Sequence, residues 1–282
     1  MAEAAPTTAS SAPSPAAGAD RIAAAFAAAR HDGRAALMPY MMGAFPDAGS
    51  GRRIARVYSD AGADLVELGI PFSDPLADGP VIHAAATAAL QAGATLESAL
   101  EACREIASEI PVVAMCYSNM ILSTGEDEFA SRLAEAGAAG AIIPDLPLGE
   151  GAETKEAMAV HGLAVVPLIA PTTSPERRRE ICAGAEGFVY LVSTTGVTGE
   201  RAELPPELED LAASAREESG VPVAVGFGIS TPAQIASIAA IADGVIVGSR
   251  LVRAVQDAGD LESAAVAVSE FLAAAREALE GS

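Results

Sequence analysis

From Asp20 to the end of the chain, short apolar runs alternate with longer segments in which apolar residues recur every three or four positions. The short runs are Ala36–Met41, Asp64–Leu68, Val112–Tyr117, Ala141–Ile143, Ala164–Ile169, Gly187–Val192, Pro222–Val225 and Gly244–Val247. They are rich in Val, Ile, Leu and Met and lack a clean period of two, the pattern of strands buried on both faces of a parallel sheet. Between them the helical period predicts helices over Ser50–Gly62, Thr95–Glu109, Asp127–Ala136, Pro175–Ala183 and Pro232–Ala240. The last helix is the clearest, since Leu261, Ala265, Val268, Leu272, Ala275 and Leu279 form one continuous apolar stripe.

Eight strands, each followed by a helix, match the arithmetic of an α/β (β/α)8 TIM barrel with an extra N-terminal helix. Residues 20–282 are read as this single catalytic domain. A doubly wound open sheet is the alternative that a strand count leaves standing. The choice matters for function, because in a barrel every loop that follows a strand opens on the same C-terminal face. Residues 1–19 are almost entirely Ala, Pro, Ser, Thr and Gly. Such a composition buries too little apolar area to offset ordering, and predicts a disordered tail acting as a solvated spacer or, as the alternative, as a partner-binding segment.

Charge narrows the partners. Seventeen Lys and Arg against 38 Asp and Glu leave a net charge of −21, which excludes a protein that coats nucleic-acid backbones. Sixteen of the seventeen cations are Arg. The single lysine, Lys155, stands in the polar helical stretch Glu153-Thr154-Lys155-Glu156 rather than at a strand end, which disfavours Schiff-base chemistry. Three widely spaced cysteines, Cys103, Cys116 and Cys182, read as reduced thiols and point to a cytoplasmic protein without a leader. The longest uncharged apolar stretch, Val221–Ala242, is broken by two prolines and two glycines, so no membrane span is expected. His31, His83 and His161 are scattered without metal-ligand spacing, and no GxSxG elbow exists. What survives is acid/base chemistry on a small molecule, with neither a metal nor a catalytic lysine.

Three glycine-rich loops follow the last three strands: Gly196-Val197-Thr198-Gly199, Gly226-Phe227-Gly228-Ile229-Ser230 and Gly248-Ser249. Each lets backbone N–H groups approach an anion, and the latter two precede helix starts, whose dipole favours negative charge. Barrel phosphate sites form after strands seven and eight, which favours a phosphate over mere steric relief in tight turns. Glu67 interrupts the apolar run of strand two, where an acid is costly unless it faces the barrel mouth. Desolvation there would raise its pKa and suit a group that both gives and accepts a proton. A hydrogen-bonded structural Glu is the alternative. Downstream, Asp78 is either a second site acid or an ordinary cap for the helix beginning near Pro80, and Asp74-Pro75 reads as a turn.

The string Glu67-Leu68-Gly69-Ile70-Pro71-Phe72-Ser73-Asp74-Pro75-Leu76-Ala77-Asp78-Gly79-Pro80 resembles the signature of the tryptophan synthase alpha chain family. Met115-Cys116-Tyr117-Ser118-Asn119, Pro144-Asp145-Leu146-Pro147, Tyr190-Leu191-Val192-Ser193 and Gly226-Phe227-Gly228-Ile229 resemble that family's strand-end motifs in the same order, over about residues 20–275. The resemblance implies a TIM barrel that cleaves indole-3-glycerol phosphate by a retro-aldol step into indole and glyceraldehyde 3-phosphate. It implies that Glu67 transfers the proton, that Asp78 partners the ring N–H, and that Tyr190 stands near the acid, with a plain barrel-interior aromatic as the alternative for Tyr190. It carries the phosphate contacts to Gly199, Gly228, Gly248 and Ser249. It also implies a pyridoxal-phosphate beta chain as partner in an α2β2 complex, with no cofactor and no metal in this chain. Another phosphate-binding barrel isomerase, or a catalytically quiet activator of a beta chain, are the competing functions. Two departures stand out. Gly43-Ala44-Phe45-Pro46 displaces the family's glycine after strand one, and Thr194-Thr195 stand where some members carry Arg.

Overall fold

The apolar runs become strands whose residues are buried on both faces, as in Ala36–Met42, where all seven are buried. The computed structural model describes residues 17–192, 207–226 and 228–281. Its strands are β1 (Ala36–Met42), β2 (Val66–Gly69), β3 (Val112–Met115), β4 (Gly140–Ile142), β5 (Ala164–Val166), β6 (Leu168–Ile169), β7 (Val189–Val192), β8 (Val223–Gly226) and β9 (Gly244–Val247). All pairings are parallel, in the order β5-β4-β3-β2-β1-β9-β8-β7-β6. β5 and β6 are the two halves of the run expected as one strand over Ala164–Ile169. Pro167 has no N–H to give the ladder. The first half pairs with β4 and the second with β7, where Tyr190 N donates to Pro167 O at 2.9 Å. The sheet is thus an eight-stranded barrel whose fifth strand is broken at its proline, and the open-sheet alternative falls.

Twelve helices are described: α1 (Ala17–His31), α2 (Ala48–Asp60), α3 (Pro80–Gln91), α4 (Leu96–Ile106), α5 (Ser118–Thr124), α6 (Glu126–Glu135), α7 (Ala152–Val160), α8 (Pro175–Ala183), α9 (Glu207–Ser219), α10 (Pro232–Ala239), α11 (Ser249–Asp257) and α12 (Leu261–Glu280). α1 is the extra helix ahead of the barrel. It begins at Ala17, so residues 17–19, expected in the tail, belong to it. Gly18 N donates to Gly162 O at 3.0 Å, which fixes that first turn against the base of β5. Residues 1–16 lie outside the described residues. The expected stripe of α12 is displaced by part of a turn: Ala264, Val268, Phe271, Leu272, Ala275 and Leu279 are buried, while Leu261 and Ala265 are half-buried. That face packs on α2, α10 and α11.

Helix starts follow capping chemistry. The Asp47 carboxylate accepts from Gly49 N at 2.9 Å and Ser50 N at 3.0 Å at the start of α2. α2 in turn steadies the end of β1, since Tyr58 Oη donates to Tyr40 O at 3.1 Å. Asp47→Ala is therefore expected to cost about 1 kcal/mol of stability. In urea unfolding it should lower the midpoint with no change in slope.

Candidate active site

Glu67 lies within β2, in register with Tyr40 of β1 on one side and Val113 of β3 on the other. Only 3% of it is exposed, so its carboxyl is confined to the barrel interior. Burial pushes this carboxyl up to about 8, and the nearby charge of Asp78 acts in the same direction. The Tyr190 hydroxyl, on β7, opposes both by donating to Glu67 Oε2 at 3.5 Å. Tyr190 is itself fully buried, and its phenol is raised well above 10 by burial and then by Glu67.

Asp78 reaches the same space from the loop between β2 and α3. Gly79 is the cap of α3 and Pro80 its first residue, so the capping role considered for Asp78 falls to its neighbour. Tyr117, just before α5, holds the loop: its hydroxyl donates to Asp78 Oδ1 at 2.8 Å and accepts from Ala77 N at 3.1 Å. Phe72 stacks on the Tyr117 ring with centroids 5.3 Å apart. Burial raises the Asp78 carboxyl, while the Tyr117 hydrogen bond and the charge of His83 pull it back down. The two neighbouring carboxyls thus differ in their surroundings: Glu67, pushed up to about 8, keeps its proton near neutral pH, whereas the Tyr117 hydrogen bond favours the charged form of Asp78. Asp74 is exposed, accepts from Ser73 and stays out of the site. Tyr117→Phe is expected to lower turnover about 10-fold and to move the acid limb of the pH profile upward, because the hydrogen bond that lowers Asp78 is gone.

The opposite wall comes from β8 and β9. Gly248 is the residue before α11 and Ser249 opens that helix, so its unpaired N–H groups face the barrel mouth. Gly228 lies in the loop after β8, which Gln234 braces by accepting from Ser230 N at 2.9 Å and Thr231 N at 3.2 Å. One cavity is lined by Glu67, Asp78, Tyr190, Gly228, Gly248 and Ser249 together. Gly199, the remaining expected contact, lies outside the described residues, as does the whole Gly196–Gly199 loop and Thr194-Thr195. Lys155, on α7, does not line this cavity.

Sequence reasoning missed Tyr40, Ile82, Met115 and Ile246 in the wall, and missed the hold of Tyr117 on Asp78. Tyr40 reads as one more apolar position in strand one. Its signal is the inward register it shares with Glu67 across the β1–β2 pair. The displaced glycine of the first loop also has a physical reason. A Cβ on Gly43 would press on Gly69 O and Ala99, so glycine is required there, and Ala44 takes the left-handed backbone with φ 58°.

The fold and the site together define a TIM-barrel enzyme of the acid/base class, with paired carboxyls on one wall of its mouth and a glycine-bordered helix start on the other. A family model described as tryptophan synthase alpha chain matches residues 26–280, and the chain belongs to that family. Among its relatives, the tryptophan synthase alpha chain of Carboxydothermus hydrogenoformans is 47% identical, over 84% of this chain and 90% of the relative. That of a Synechocystis species is 46% identical, over 82% and 89% respectively. In three dimensions the chain superposes on a structure of Mycobacterium tuberculosis tryptophan synthase with a TM-score of 0.85 at 35% identity, covering 92% of this chain and 98% of the other. It superposes on the alpha subunit of Legionella pneumophila with a TM-score of 0.84 at 34% identity, covering 93% and 99%.

Proposed function

We propose that this chain cleaves indole-3-glycerol phosphate into indole and glyceraldehyde 3-phosphate, with Glu67 as the group that moves the protons. Family membership makes it a carbon–carbon lyase of tryptophan biosynthesis. The single observation that carries the mechanism is the buried Glu67 carboxyl, held protonated near neutral pH beside an Asp78 that accepts a hydrogen bond from Tyr117. The neutral Glu67 gives its proton to C3 of the indole ring, while Asp78 accepts a hydrogen bond from the ring N–H and offsets the positive charge that develops there. The Glu67 carboxylate so formed takes the proton of the hydroxyl on the carbon joined to the ring. That C–C bond then breaks, its electrons restore the aromatic ring, and the oxygen becomes the aldehyde carbonyl. Glu67 ends protonated as it began. Tyr190 keeps the Glu67 side chain aimed between the two reacting positions.

Gly228, Gly248 and Ser249, with Gly199, receive the phosphate through backbone N–H groups and the α11 terminus, which suits a protein of net charge −21. The chemistry needs no cofactor and no metal in this chain. The partner we propose is a pyridoxal-phosphate beta chain in an α2β2 complex, which consumes the indole. The loop that carries Asp78 also presents Leu76, an apolar side chain 86% exposed, to such a partner. Among the described residues no helix is long and apolar enough to cross a membrane, and we place the protein in the cytoplasm. Indole release from indole-3-glycerol phosphate, assayed with and without a beta chain, is the test. Release by the chain is expected in both, and none in either would leave only the activator reading.

A further inference from the structure

Tyr40 is a polar group of the cavity wall that the reaction above leaves unused. β1 separates β2, which bears Glu67, from β9, which leads to Gly248 and Ser249. Tyr40 therefore stands between the proton-transfer wall and the phosphate wall. Its side chain spans that gap. At its root, a Cβ on Gly248 would lie 3.4 Å from Tyr40 Cβ. At its tip, a Cβ on Gly69 would coincide with the Tyr40 hydroxyl, so glycine at 69 is what lets the ring lie across the cavity.

The residue is 4% exposed, yet among the described residues its hydroxyl has only a thioether as partner, Met42 Sδ at 3.9 Å. Sulfur is a weak acceptor, and a buried hydroxyl without a strong one carries an unspent donor. Burial, then the charge of Asp78, raise the phenol well above 10, so at neutral pH it keeps the hydrogen it can donate. A ligand with an indole ring at the carboxyls and a phosphate at the glycines must lay its three-carbon chain across Tyr40. In indole-3-glycerol phosphate that chain bears two hydroxyls, which lose water on entering the cavity.

We propose that the Tyr40 hydroxyl donates a hydrogen bond to a glycerol hydroxyl oxygen of the substrate, and that this contact selects the hydroxylated chain over a deoxygenated one. The inference rests on the lyase reading, and its test separates the two. Full-length wild-type and Tyr40→Phe proteins are compared on indole-3-glycerol phosphate and on indole-3-propanol phosphate, which has the same ring and phosphate but no chain hydroxyls. Tyr40→Phe is expected to weaken binding and kcat/KM for the glycerol compound about 5- to 10-fold. Its Kd for the propanol compound should change less than about twofold, and that retained binding reports an intact site. Equal losses on both ligands, or no loss on either, would overturn the role assigned to the hydroxyl. Absence of indole release by the wild-type protein would instead strike the lyase reading.

Discussion

Glu67→Gln is expected to yield a protein that is more stable than its parent at alkaline pH and that releases indole at least about 10²-fold more slowly. Both effects have one origin. In the folded chain burial raises the Glu67 carboxyl from 4.5 to about 8, so the folded state holds a proton that the unfolded state releases. Between those two values the unfolded state binds fewer protons than the native one, so stability falls as pH rises and levels off above about 8. A shift of this size corresponds to roughly 3–5 kcal/mol. Glutamine has the shape of the neutral acid but nothing to ionise, so the variant escapes that loss. The expected signature is a thermal midpoint that matches the parent below pH 4.5, where the carboxyl is neutral in the folded and the unfolded chain alike, and exceeds it at pH 9. A midpoint gap that does not widen with pH would show that Glu67 ionises normally. The same amide cannot transfer a proton, which removes the acid and the base of the reaction together.

The second large effect is at Asp78. Asp78→Asn keeps the shape of the side chain and removes the charge that meets the ring N–H, so indole release is expected to fall about 10²-fold. The substitution has a second readout that a loss of packing would not give. The Asp78 charge is one of the two causes that raise Glu67, so its removal should bring Glu67 down and move the alkaline limb of the residual activity to lower pH. In the parent that limb is expected near pH 8, where Glu67 begins to lose the proton it must donate. An unmoved limb in the Asn variant would show that the two carboxyls do not sense one another.

The periodicity of the apolar runs was enough to read the barrel, because parallel strands covered on both faces are written as short continuous apolar segments. It failed at Pro167 for a local reason: the side chains continue the pattern of a strand, while the missing N–H breaks the ladder. It also overran at Tyr117, which is apolar enough to extend strand three but stands at the start of α5 with its hydroxyl on Asp78. The acids were legible because Glu67 is out of place in an apolar run. What the pattern cannot carry is contact between distant segments. Tyr117 and Asp78 are 39 residues apart, and Tyr190 and Glu67 are 123 apart. Tyr40 escaped notice for the opposite reason, since an aromatic residue in a buried strand is what packing alone would select.

The central claim is that a neutral Glu67 carboxyl shuttles the protons of a retro-aldol cleavage. Its most direct test is a single-turnover experiment, with enzyme in excess over indole-3-glycerol phosphate and indole quantified against time, on the parent and Glu67→Gln proteins. The parent is predicted to convert the substrate fully. The glutamine protein is predicted to bind it with comparable affinity and to release essentially no indole over the same interval. Indole release by the glutamine protein at the parent's rate would contradict the account.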